Sequence, residues 1–224
     1  FLDLSQYGFE KSYILRRSDG TSVYAARDLA FHIWKGHNFD RVIDILGADH
    51  KLIGTQLQAT LDLIGEKPPE IVFFEFVSLP EGSMSTRKGK FISADELIAE
   101  TERRALEEVT VRRPELHEEQ RVKIAHAVAI SAIRYDIIRT IPEKNTIFDW
   151  KEALDFEKQS GPYIQYAHAR ACSILEKAGT YTPCFKAEGE GEIALVKKIA
   201  LFPKVISEVV TGLKPHLLAI YARE

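Results

Sequence analysis

Four stretches of this 224-residue sequence carry side chains whose types and spacing could do chemistry. In Ser83-Met84-Ser85-Thr86-Arg87-Lys88-Gly89-Lys90, hydroxyls, backbone amides and three cations lie close together, a set suited to cradling a polyphosphate. Gly82 and Gly89 would let the loop close over a ligand. It is not a P-loop, because the Gly-x-x-x-x-Gly-Lys-Ser/Thr spacing is absent. On chemistry alone, a solvated basic loop is the commoner outcome.

Tyr24-Ala25-Ala26-Arg27-Asp28 places an aromatic ring and a carboxylate four residues apart, on one face of a helix. A guanidinium asks for that pairing, a charged bidentate acceptor beside a π-face. The plainer reading is a first-turn Asp favoured by the helix dipole and a packed Tyr. In Gly47-Ala48-Asp49-His50, Gly47 permits close backbone approach, Asp49 can accept from a ribose hydroxyl, and His50 can donate or accept. An N-cap with a surface imidazole is the alternative there. The last stretch, Ser160-Gly161-Pro162-Tyr163-Ile164-Gln165-Tyr166-Ala167-His168-Ala169-Arg170, sets Gln165, His168 and Arg170 on a helix among small and aromatic residues. Arg103-Arg104 and Arg112-Arg113 are flanked by glutamates and read as solvated charged faces.

The elements that must hold these groups form two kinds of structure. Ser18-Asp19-Gly20 between extended runs predicts a hairpin, and a helix follows from about Ala25 to Lys35, stopped by Gly36 and Asn38. Arg41–Leu46 reads as a buried strand ending at Gly47. A helix from about His50 to Ile64 stops at Gly65, and Ile71–Phe76 is a second strand. Strand, helix and strand of these lengths predict parallel pairing, with ligands at the strands' carboxyl ends, where Gly47–His50 lies. Ser93 with Glu96 is a capping box that opens another helix. Further helices are expected over Glu115–Arg139, Lys151–Lys158, Pro162–Ala178 and Glu192–Val210, and another starts near Lys214. Asn145–Trp150 reads as a short extended link, and Glu188–Gly191 is the most linker-like stretch.

Composition is that of an ordinary soluble protein, 45% hydrophobic and 28% charged. No apolar run approaches the ~18–20 residues needed to cross a bilayer, and no signal peptide opens the chain, so a cytoplasmic location is the default. The net charge of −3 gives no sign of a general basic surface for nucleic acid, although local patches remain open. The two cysteines, Cys172 and Cys184, are too few for a disulfide framework, and the histidines show no zinc spacing. No structural metal is expected, and Cys172 reads as a buried small hydrophobe. The first residue is Phe1 and the only methionine is Met84, which points to an excerpt of something longer.

Taken in order, these stretches resemble class I arginyl-tRNA synthetases. Met84-Ser85-Thr86-Arg87-Lys88-Gly89 resembles the arginyl variant of the Lys-Met-Ser-Lys-Ser signature. Ser-Asp-Gly-Thr followed by Tyr24-x-x-Arg27-Asp28-Leu29-Ala30 resembles the family's arginine-gripping helix. Tyr163–Arg170 resembles the stretch joining its catalytic core to a helical anticodon-binding domain.

The resemblance implies an α/β half followed by an all-α half. Residues 1–110 would be the second half of a Rossmann-like catalytic domain, 111–158 a helical connector, and 159–224 the start of the anticodon-binding domain. It implies formation of arginyl-AMP from L-arginine and ATP with Mg²⁺, then transfer to tRNA(Arg). Tyr24, Asp28 and His50 would bind arginine, and Gly47, Asp49, His50 and Lys88 would bind ATP. Met84, Ser85, Thr86, Arg87, Lys88 and Gly89 would form the catalytic loop, and Gln165, His168 and Arg170 would be candidates for tRNA contact. Ser83 and Thr86 stand where the signature lysines would be, so Arg87, Lys88 or Lys90 would supply the cation. The His-x-Gly-His signature of the first catalytic half is absent, which implies a fragment that is inactive alone and completed by the missing half. A non-catalytic tRNA-binding module and an unrelated α/β nucleotide-binding protein are the alternatives.

Overall fold

Tyr24 opens the first long helix, α1 (Tyr24–Asn38), directly after a tight hairpin. At that hairpin Arg17 N–H donates to Thr21 O at 2.8 Å, and Asp19 accepts from both the amide and hydroxyl of Thr21. Gly20 sits at φ +89°, in the left-handed region that a side chain would resist. The Asp-Gly signal therefore reported a real turn. α1 runs through Gly36 instead of stopping there; Asn38 ends it, its side-chain amide donating to Trp34 O at 2.7 Å.

The computed structural model describes residues 1–80, 92–180, 182 and 186–224. They fall into two compact units, residues 1–76 with 142–144, and residues 77–141 with 145–224. Among the described residues, no helix is long and apolar enough to cross a membrane.

The first unit is built on a parallel pair, β1 (Ile43–Gly47) and β2 (Glu70–Phe74), joined by α2 (Lys51–Leu63). The register sets Ile43 against Glu70 and Gly47 against Phe74. α2 ends as its sequence predicts: Gly65 adopts φ +77°, and Glu66 N–H returns to Leu61 O at 2.9 Å. Gly54 lets this helix lie close on the sheet, because a Cβ there would come within 3.1 Å of both Ile71 Cδ1 and Leu46 Cδ1.

One expectation fails here. The sequence reads β1 as a buried strand, yet Ile43 and Ile45 are exposed, the latter by 69%, as is Phe74 on β2. Within this unit only the Asp44–Leu46 face is covered, by α2 and by His32 and Lys35 of α1.

In the second unit, β3 (Val77–Ser78) pairs in parallel with β4 (Thr146–Ile147), and the other elements among the described residues are helices. α3 (Ala94–Arg112) begins with the expected capping box: Ser93 Oγ accepts from Glu96 N–H, and Glu96 accepts from Ser93 N–H at 2.8 Å. It packs along α4 (Glu118–Ile138) through small residues, Ala105, Ala125, Ala129 and Ala132. Phe148 fills the core beside them, fully buried, edge-on to Trp150. Trp150 Nε1 donates to Thr101 Oγ1 at 3.1 Å.

α5 (Trp150–Ala153) is much shorter than expected, because the chain bends away after Leu154 and Ser160 caps a new helix, α6 (Gly161–Ala178). The single helix expected over Glu192–Val210 is two, α7 (Glu190–Ala200) and α8 (Phe202–Gly212). Pro203, which has no N–H to continue a helix, lies in the first turn of the second. α9 (Pro215–Arg223) follows Leu213, which takes the left-handed conformation at φ +52°.

Two outcomes test this packing. Phe148→Ala should cost about 3–5 kcal/mol in denaturant unfolding, the usual cost of emptying a buried aromatic site. Asp136 offers a pH test. Its Oδ1 accepts from Arg139, while Oδ2 is buried with no partner among the described residues. Burial pushes this carboxyl up from its ordinary 3.8, Arg139 opposing the shift. A carboxyl raised on folding destabilises the native state above its folded pKa, and that cost disappears as pH falls through the window down to 3.8. The thermal midpoint of Asp136→Asn relative to the parent should therefore be higher at pH 7 than at pH 4.

Candidate functional site

α1 presents Tyr24 and Asp28 one turn apart, the ring 84% and the carboxylate 46% exposed. Both therefore stand open to a ligand, the arrangement a guanidinium would need. Arg27, between them in sequence, is exposed and has no hydrogen-bond partner among the described residues.

Gly47 ends β1 and passes into a single 3-10 turn, Ala48–His50, that leads into α2. Asp49 and His50 are both exposed, with His50 Nδ1 3.5 Å from Asp49 Oδ1. The Asp49 carboxylate folds back over Gly47, where a Cβ would lie 2.6 Å from Asp49 Oδ1. A side chain at position 47 would displace that carboxylate, so the glycine holds the turn's shape as well as leaving room at the strand's end. Gln56, half-buried on α2, accepts through its backbone carbonyl from Thr60 Oγ1.

Sequence reasoning missed three residues here. His32, on α1 one turn after Asp28, is only 5% exposed. Its Nδ1 lies 2.8 Å from Asp28 O and 3.3 Å from Asp28 Oδ1, and its Nε2 lies 2.6 Å from Asp44 Oδ2 on β1. Lys35 Nζ donates to Asp44 Oδ1 at 3.1 Å and sits 2.9 Å from the same His32 nitrogen. The i, i+4 spacing of Asp28 and His32 was a visible signal; the bond to Asp44, on another element, was not.

The Met84–Gly89 loop, with Lys88 and Lys90, lies outside the described residues, as does Cys184. In the second unit, Gly161 meets Ser131 so closely that a Cβ would overlap its backbone carbonyl, which seats α6 on α4. Gln165 is turned inward, its amide donating to Ala127 O at 3.2 Å. Tyr166, His168 and Arg170 are exposed, with the Arg170 guanidinium 5.7 Å from the Tyr166 ring centroid. Cys172 is exposed beside His168, which corrects the expectation that it is buried: it sits on a face of α6 that no described segment covers.

Comparison with known proteins bears on both units. The family described as "tRNA synthetases class I (R), catalytic domain" matches residues 1–150, and "DALR anticodon binding domain" matches residues 164–224. The arginine–tRNA ligase of Methanospirillum hungatei is 88% identical over 223 residues, which is 100% of this chain and 40% of that protein. That of Methanoregula boonei is 70% identical with the same coverage. The solved arginyl-tRNA synthetase of Thermus thermophilus superposes with a TM-score of 0.84 at 30% identity, over 94% of this chain and 41% of that one. The chain thus spans about 40% of the length of the curated relatives it matches. With an α/β catalytic segment followed by a helical DALR segment, it belongs to the class I arginyl-tRNA synthetase family.

Proposed function

We propose that this chain supplies part of an enzyme that activates L-arginine with ATP·Mg²⁺ and charges tRNA(Arg). The arginine carboxylate attacks the α-phosphorus of ATP, pyrophosphate leaves, and arginyl-AMP forms. A ribose hydroxyl of the tRNA's terminal adenosine then attacks the arginyl carbonyl, and AMP leaves. No protein nucleophile is required. The chain's residues orient the reactants and balance charge.

The observation that carries this reading is the exposed Tyr24–Asp28 pair at the start of α1. Asp28 would accept the guanidinium in a charge-assisted contact, with the Tyr24 ring against its flat face. Gly47 and Asp49 would meet the nucleotide at the end of β1, with His50 within reach of either substrate. The Met84–Gly89 loop would stabilise the triphosphate as pyrophosphate leaves, with Arg87, Lys88 or Lys90 as its cation. On α6, His168 and Arg170 face outward and suit tRNA contact. Gln165, turned onto α4, would serve tRNA indirectly by holding that helix in place.

The bare face of the β1–β2 pair supports a further part of this reading. Ile43, Ile45 and Phe74 form an exposed apolar surface on a two-stranded sheet, and parallel sheets are ordinarily covered on both faces. The remainder of the synthetase, in the same polypeptide or as a separate chain, would cover it and complete the adenylate site. Family membership sets aside the unrelated nucleotide-binding reading.

Two measurements test this function. The 224 residues alone, with cognate tRNA, arginine and ATP, should give no arginine-dependent ATP–pyrophosphate exchange, and exchange should return when the rest of the synthetase is supplied. In the full-length enzyme, Asp28→Asn should raise the arginine KM about 10- to 100-fold, the scale of a hydrogen bond to a charged group, with the ATP KM little changed.

A further inference from the structure

His32, Lys35 and Asp44 touch no substrate in that reading, yet they form the most densely paired polar group in the first unit. A buried imidazole on a helix is ordinarily a satisfied core residue. This one divides its two nitrogens between two elements. Nδ1 faces only acceptors, the Asp28 carbonyl at 2.8 Å and the Asp28 carboxylate at 3.3 Å, so it carries a hydrogen and donates. Nε2 lies 2.6 Å from Asp44 Oδ2, and Lys35 closes the group by bonding Asp44 from the same helix.

Asp44 lies on β1, three residues before Gly47. The chain of contacts therefore runs from the Asp28 carboxylate, through one imidazole, to the strand whose end carries Gly47-Ala48-Asp49-His50. Gly54 and the side chains it touches hold α2 on the same face of that strand. Left to itself, a half-exposed aspartate one turn into a helix would sample several rotamers and would have to be ordered when a ligand bound. A carboxylate that receives a guanidinium in fixed geometry gains affinity when it is held beforehand.

We infer that His32 is a positioning residue for arginine recognition. With Asp44 and Lys35 behind it, it orients the Asp28 carboxylate and sets the spacing of α1 from the carboxyl end of β1. The inference rests on the reading of Asp28 as the guanidinium acceptor, and its test keeps the two apart.

The test uses full-length enzyme with cognate tRNA, arginine and ATP being varied separately in ATP–pyrophosphate exchange. His32→Gln sets an amide near the Nε2 position, keeping the reach to Asp44 and releasing Asp28. His32→Asn sets one near Nδ1 and keeps the contact with Asp28. His32→Gln should raise the arginine KM about tenfold, the upper end of the cost of ordering one side chain on binding instead of beforehand, while the ATP KM stays within about twofold. His32→Asn should recover most of the arginine KM, whatever either variant does to the thermal midpoint. In an Asp28→Asn background, His32→Gln should add no further arginine penalty.

Arginine and ATP KM rising together, or tracking thermal stability instead of the atom retained, would overturn the inference. If Asp28→Asn raises the arginine KM and His32→Gln does not, the inference fails alone. If Asp28→Asn leaves it unchanged, the reading of the arginine site fails first. Should His32→Gln not fold, Asp44→Asn, which keeps the volume and removes the charge behind Nε2, is read against the same outcomes.

Discussion

Two strands that run parallel cannot be joined by a tight turn, and the first unit follows from that constraint. The chain leaving Gly47 must travel back along the sheet before entering at Glu70, so a crossover is required, and α2 is that crossover. The helix necessarily lies over one face, and both carboxyl ends come to the same edge, Gly47 opposite Phe74. Gly54 belongs to the same arrangement, since a Cβ there would press on Leu46, Ile71 and Phe73, which would have to give for α2 to stay as close. The Asp49–His50 turn is thus placed at the strand ends by the route of the chain.

In the second unit the corresponding constraint is close helix approach. α3 and α4 meet over alanines, and α6 is seated on α4 at Gly161, where Ser131 leaves no room for a side chain. Gln165, one turn further along the face that carries Gly161, is directed at Ala127. His168 follows on that same side but is exposed, as is every residue of α6 from Tyr166 onward, and Arg170 lies on the opposite side. Trp150 is fixed across the core because its one donor finds Thr101, whose hydroxyl in turn donates to Leu97 O at 2.6 Å.

What could be read from the sequence was chiefly local. The Asp19-Gly20 turn, the stop at Gly65 and the Ser93–Glu96 capping box each involve partners a few residues apart, and each formed as its pattern predicts. Tyr24 and Asp28 were legible as a pair for the same reason: helical spacing alone sets them on one face. The break before Pro203 had a visible cause that an apolar helical period overrode. Beyond local reach the sequence was silent. Nothing in the run from Arg41 to Leu46 distinguishes a strand covered on both faces from one covered on a single face. The pairing of His32 with Asp44 depends on how α1 lies on β1, which no spacing within either element specifies.

The uncovered side of the β1–β2 pair also bears on how such a protein comes to be assembled. Among the described residues each strand pairs on one edge only, and Ile43, Ile45 and Phe74 stand on the face beside those unpaired backbone groups. Unpaired strand edges beside exposed apolar side chains are a template for another extended chain. On the reading proposed above, the surface that would receive the rest of the fold is also the adhesive surface of any intermediate still lacking it. The interval between forming this pair and covering it is then when misassociation would compete with maturation.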